Sequence, residues 1–286
     1  MTEPIVFDRY DDVIAALADA SLVPPPAADG PPGGVAWLRA RVARFGSGEV
    51  HARRRALVEA DLASLDPGAL RRAAATGCAS DVRLRVVRAL AAQLGLAEPE
   101  AVARDVVLVA RAYFADAPDD PEADAAVARL LPAMGCGEAG AEQEDPGQEG
   151  AGGEDTGQEG AGRESAGWEG AGQERAANRI GLLVQACEAT AALVEHARRG
   201  TGLEAALRDD PPVRVMRRVA ARDTAVAGVA LPAGTPVLLD LVAAQEPHRE
   251  PLTFGASPRS CPGRAHALAI AGGILHGASA LGEESR

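Results

Sequence analysis

Apolar positions recur at steps of three and four through most of the first half of the chain. WLRARVARF (37–45), ALVEADLASL (56–65), RLRVVRALAAQLGL (83–96) and VARDVVLVARAYF (102–114) each carry such a stripe. A stripe at that spacing lies along one face of an α-helix, so Gly33 to about Met134 reads as a mostly α bundle. Ahead of it, IVFDRYDDVIAALADASLVPPP starts with a short apolar run and continues with Val13, Ile14 and Leu17 at helical spacing, until three prolines stop it. A strand or sheet edge followed by a helix is expected there. RIGLLVQACEATAALVEHARR (179–199) is apolar on nearly all sides in its middle, the mark of a buried central helix. VAGVALPAGTPVLLDLVAAQ (226–245) is rich in Val, Thr and Gly, with a Pro-Ala-Gly turn between two apolar runs, and predicts a small β-hairpin. A last helix is expected over Arg264 to Leu275.

The periodicity vanishes over residues 137–175. A decapeptide repeat runs there, QEGAGGEDTG, QEGAGRESAG, WEGAGQERA, beginning at Gln148, Gln158 and Trp168. With so much Gly and Glu and so little apolar content, it cannot offset its ordering entropy and predicts a disordered insertion. The organisation is then a mostly helical part over 1–136, the insertion at 137–175, and a central helix, hairpin and loop over 176–286 of the same domain. The fold class is mainly α with a small β portion.

Composition changes this picture where it is uneven. The net charge is −12, but residues 137–175 hold 11 acidic and 2 basic side chains, so the remainder is nearly balanced. No electrostatic footprint for nucleic acid remains. The N-terminus has no basic segment followed by an apolar core, and no apolar run is long enough to span a bilayer, so a cytoplasmic protein without membrane contact is expected. Four cysteines at 78, 136, 187 and 261 are widely separated and suggest neither a disulfide framework nor a zinc site.

One cysteine stands apart. FGASPRSCPG (254–263) places Cys261 in a Gly- and Pro-rich loop directly before a helix, where the helix N-terminus and Arg259 both favour a thiolate able to bind a metal. A buried structural cysteine is the competing reading and suffices for Cys78, Cys136 and Cys187. In HARRRALV, His51 and Arg55 lie four residues apart and share one helix face, able to present two donors to carboxylates.

Together these segments resemble the cytochrome P-450 family. Its heme loop reads Phe-x-x-Gly-x-Arg-x-Cys-x-Gly, and Phe254, Arg259, Cys261 and Gly263 stand at matching positions, with Ser257 where Gly is usual. The resemblance implies heme b with Cys261 as axial ligand to its iron, Phe254 packed over the sulfur side of the ring, and His51, Arg55, Arg218 and Arg259 on the propionates. It also implies a truncated P-450-like fold and a monooxygenase acting on a small organic substrate with a ferredoxin-type electron donor, for which Arg249, Arg259 and Arg264 would form a basic rim. On the central helix, Gln185 to Thr190 lies in register with the family's oxygen-activating segment. Glu188 keeps the acid that relays protons, whereas Ala189 replaces the hydroxyl residue and Thr190 comes one position late. In LEAALRDDPP the expected Glu-x-x-Arg pair keeps Arg208 but has Ala205 for its acid, so Arg208 should turn to Asp209, Asp210 or solvent. These losses leave an alternative, a P-450-like accessory protein that binds a partner enzyme without redox chemistry.

Overall fold

The computed structural model describes residues 3–76, 79–114, 119–135, 160–200, 202–246 and 249–283, with side chains outside 160–169 and 278–283. The N-terminal segment forms strand β1 (Ile5–Phe7), helix α1 (Tyr10–Ala18) and strand β2 (Leu22–Val23). The striped region gives α2 (Val35–Arg41), a 3-10 turn (Ala43–Phe45), α3 (Gly48–Ala63), α4 (Pro67–Ala75), α5 (Val82–Gln93), α6 (Pro99–Ala112) and α7 (Pro121–Ala133). Their starts follow local chemistry. Asp66 accepts from the Gly68 and Ala69 amides and Asp120 from those of Glu122 and Ala123, each just before a proline that needs no amide partner.

The central helix α8 runs Gly160–Arg199, so residues 160–175 are helical where a disordered insertion was expected. Two causes are visible. Adding residues to an existing helix avoids the cost of nucleation, and the last repeat contributes Gln, Glu, Arg and Ala, all good helix formers. Anchors from outside the helix then hold it at Glu174 and Asn178. Glu174 accepts from Arg53 and Arg54 at 2.7–2.9 Å, and buried Asn178 accepts from the Ala43 amide while donating to the Arg41 carbonyl. Residues 137–159 lie outside the described residues, as do Cys78 and Cys136.

After α8 come α9 (Leu203–Asp209), β3 (Val215–Ala220), β4 (Thr224–Val226), β5 (Val229–Leu231), β6 (Pro236–Asp240), α10 (Leu241–Ala244) and α11 (Arg264–Glu283). One sheet has the order β1-β6-β3-β2, with β1 parallel to β6 and the other pairs antiparallel; β4 and β5 form a separate ribbon. The expected hairpin therefore turns elsewhere. The tight turn is Ala227–Gly228, both at positive φ as a two-residue hairpin of this type requires, whereas Pro232–Gly234 carries the chain from the ribbon to the larger sheet.

Two apolar cores result. One lies among α2 to α9 and α11, built on residues such as Leu38, Val86, Val106, Ile180, Leu183 and Ile274. The other joins the sheet to α1, with Phe7, Val13, Leu17, Leu231 and Leu239. A salt bridge pins α3 to α8: buried Asp61 takes the Arg179 guanidinium at 3.0–3.2 Å, with Arg175 at 3.6 Å. Helix α11 crosses α4 with almost no space between backbones, since a Cβ on Gly273 would lie 2.1 Å from the Arg71 carbonyl oxygen. Among the described residues no helix is long and apolar enough to cross a membrane.

Candidate functional site

The Cys261 loop lies where the two cores meet. Leu252 belongs to the sheet-side core, while Phe254 packs on the helical one. A short 3-10 turn (Leu252–Phe254) opens the loop, and the Thr253 hydroxyl accepts from the Val213 amide at 3.2 Å. The loop then folds back on itself: the Cys261 amide donates to the Phe254 carbonyl at 2.8 Å and the Arg259 amide to Ala256 at 3.0 Å. Gly255, at φ +66°, makes the reversal possible. Helix α11 starts directly afterwards, with the Ala267 amide bonded to the Gly263 carbonyl.

Cys261 is solvent-exposed as a residue, yet the protein around its sulfur raises the thiol above its ordinary value. A hydrogen bond from the Gly263 amide and the charge of Arg55 pull the other way. Arg55 reaches the loop directly, donating to the Ser260 carbonyl at 2.8 Å and to Glu59 at 2.7 Å. Phe254 lies beneath the Arg264 guanidinium, 5.2 Å from the ring centre.

The charges around the loop are one-sided. Arg259 donates to the Gly46 carbonyl at 2.7 Å, and its guanidinium is pulled down by burial and by Arg55. Arg218, on β3, donates to the Arg217 carbonyl and is drawn down to about 10 by burial and by the charges of Arg259 and Arg44. The His51 imidazole is pushed down to about 4 by desolvation, then by Arg259 and Arg55, with only Glu59 opposing. His51, Arg55, Arg218 and Arg259 are thus brought into one electrostatic neighbourhood, and among the described residues neither Arg218 nor Arg259 has an ion-pair partner. Half-buried cations that repel one another form a donor set for an anion with more than one carboxylate. With a sulfur that becomes a ligand on losing its proton, this set fits the two propionates and the iron of a heme.

The central helix departs from the expected arrangement. Glu188 accepts from Arg83 at 2.9 Å, and the same guanidinium reaches Glu195 at 3.3 Å, so the acid is committed to the start of α5. Thr190 is buried in the helical layer. At 100° per residue, Leu182, Gln185, Ala186 and Ala189 form one half-exposed stripe of α8, and Glu188 and Thr190 flank it on opposite sides. The sequence expectation of a basic rim is also corrected. Arg249 pairs with Asp11 at 3.0 Å and Glu246 at 3.3 Å, and Arg264 with Glu250 at 2.9 Å, so these charges are neutralised in place. Arg208 does turn to Asp209, at 2.9 Å and near solvent. Arg44, whose charge bears on Arg218, carries no signal in a chain whose basic residues are all arginine.

No family model matches the sequence, and no curated protein does. Solved structures do. The chain is similar to the P-450 enzyme BioI, solved in complex with an acyl carrier protein ligated to hexadec-9Z-enoic acid, with a TM-score of 0.64 at 17% identity over 96% of this chain and 84% of that one. CalO2 gives 0.64 at 21% identity over 95% and 82%, and the cytochrome P-450 CREJ 0.63 at 17% over 96% and 83%. The chain therefore has a shortened form of the cytochrome P-450 fold, mainly α with a small β portion.

Proposed function

We propose that this protein binds heme b through Cys261 and is a monooxygenase for a small organic substrate. The observation that carries the reading is the half-buried set Arg218, Arg259, Arg55 and His51, cations and an imidazole collected beside the thiol with one carboxylate, Glu59, among them. Uncompensated charge of this kind is costly to a fold and accumulates where a ligand supplies the opposite sign. In this reading Arg218 and Arg259 hold the propionates, with Arg55 and His51 completing the donor set. The Gly263 amide and Arg55 favour the Cys261 thiolate against the burial that raises it, and Phe254 would pack over the sulfur side of the ring. Bound heme supplies the activation of dioxygen.

Proton delivery in this reading falls to Glu188, which must first part from Arg83; Thr190 supports the helix from within the core. Electrons come from a ferredoxin-type donor, whose docking must exchange the ion pairs of Arg249 and Arg264 or use another face.

The test is the absorption spectrum of heme-reconstituted protein, ferric and then reduced under carbon monoxide, beside C261A. A red-shifted Soret band that disappears in C261A is expected. Failure to take up heme would end the reading.

A further inference from the structure

A second group of cations without carboxylates lies where the 3-10 turn Ala43–Phe45 meets the end of α6. Phe45, Tyr113 and Phe114 collect there, in a chain with only four Phe, two Tyr and two Trp. The Phe45 and Tyr113 ring centres are 5.6 Å apart, and those of Tyr113 and Phe114 are 6.0 Å apart at nearly a right angle. Two guanidiniums lie over these rings. Arg39 is 5.4 Å from the centre of Phe45, and Arg44 is 5.8 Å from Phe45 and 5.5 Å from Phe114. Among the described residues neither arginine forms an ion pair.

Two polar atoms here are left over. Tyr113 is fully buried, and its hydroxyl has no hydrogen-bond partner; the Arg39 Nε is likewise buried and unpartnered. The charges of Arg44 and Arg39 both act on this buried hydroxyl, and it finds no acceptor among the described residues. A water molecule would satisfy the hydroxyl but would leave both charges uncompensated. A carboxylate answers both needs, since its two oxygens offer about four acceptor sites and its charge offsets the arginines. Phe45 and Phe114, the latter 46% exposed, offer apolar faces beside it for an organic body.

We propose that Arg39, Arg44 and Tyr113 form the carboxylate-recognising end of a binding site for a small organic acid with an aryl or alkyl body. That the acid is the substrate rests on the heme-thiolate reading; that the site binds such an acid does not. Arg44 makes the connection between the two, because its charge acts on both Tyr113 and Arg218. An acid held here would lie next to the cationic set beside Cys261.

The test uses the full-length protein, as isolated and after loading with heme, titrated calorimetrically with 4-phenylbutanoate and with 4-phenylbutanamide, which matches its shape without the charge. The acid is expected to bind at least tenfold tighter than the amide. R44Q and R39Q should abolish that preference, and Y113F, which retains the ring, should reduce it about threefold or more. Arg44 is exposed, so R44Q is expected to fold normally, checked by its thermal midpoint. Equal affinity for acid and amide, or an undiminished preference in R44Q, would overturn the proposal. Acid preference in protein that takes up no heme would keep the site and remove the monooxygenase reading; a thiolate spectrum without acid preference would do the reverse.

Discussion

Replacing Arg218 by methionine should make the ligand-free protein more stable and a worse heme binder. Burial, then the charges of Arg259 and Arg44, draws this guanidinium from its ordinary value down to about 10. A cation whose folded value lies below its unfolded value penalises the fold at every pH below about 10, and the penalty fades only as pH rises from there toward the ordinary arginine value. At about 1.4 kcal/mol per tenfold change, the full effect is on the order of 3 kcal/mol. The side chain is only half-buried, so solvent screening reduces this, and methionine forfeits the 2.9 Å bond to the Arg217 carbonyl, worth about 1 kcal/mol. A net gain of about 1 kcal/mol at pH 7 is expected, read as a higher urea midpoint at unchanged slope. Heme titration of the same variant should show affinity at least tenfold weaker. A ligand-free R218M protein that is less stable than the parent would refute the argument that Arg218 is held for a missing anion.

Other perturbations follow from the same geometry. D61A strands Arg179 and should cost about 3–5 kcal/mol in chemical denaturation, loosening α3 from α8 and lowering heme retention with it. G273A drives a Cβ to 2.1 Å from the Arg71 carbonyl oxygen and should cost at least 1–3 kcal/mol, whereas G272A, whose nearest neighbour is 3.6 Å away, should be close to neutral by thermal unfolding. His51, pushed down to about 4, is neutral at pH 7, and an unfolded imidazole takes up its proton first as pH falls. Stability should therefore decline between pH 6.5 and 4, with about 1–2 kcal/mol of it due to His51 after allowance for solvent screening, and H51Q should show a shallower decline, most clearly above the carboxylate range. E188Q removes one partly exposed ion pair with Arg83 and should change stability by no more than about 1 kcal/mol.

The sequence makes helix faces legible because burial repeats with the helical period. Val86, Val87 and Leu90, or Val102, Val106 and Val109, lie on the faces their spacing predicts. That the Cys261 loop leads directly into a helix is equally local and equally legible, whereas the burial that raises its thiol, and the choice of Arg55 rather than Arg259 as the opposing charge, are not. What depends on a distant partner is not. Helix α8 is tied at Glu174 and Asn178 to Arg53, Arg54 and the Arg41 carbonyl, all more than a hundred residues away, whereas composition alone argues for disorder up to residue 175. Glu188 stands in the register that the resemblance assigns to a proton relay, but the side chain goes to Arg83, and nothing in the spacing reveals which neighbour meets it. Arg249 and Arg264 look free in a linear reading because Asp11 and Glu250 reach them only through the fold. Arg39, Arg44 and Tyr113 are invisible for the same reason.

The fusion of α11 to α4 at Gly273 gives the Cys261 end of that helix a lever arm. From Gly273 back to Arg264 the helix extends about 14 Å, at 1.5 Å per residue. A tilt of about 5° about the glycine contact would therefore carry the thiol by roughly 1 Å, the scale at which a ligand bond or a bound substrate is lost. In the heme-binding reading, substitutions at this seam, which is remote from the thiol, would then read out as changes in the heme spectrum before they register as loss of fold.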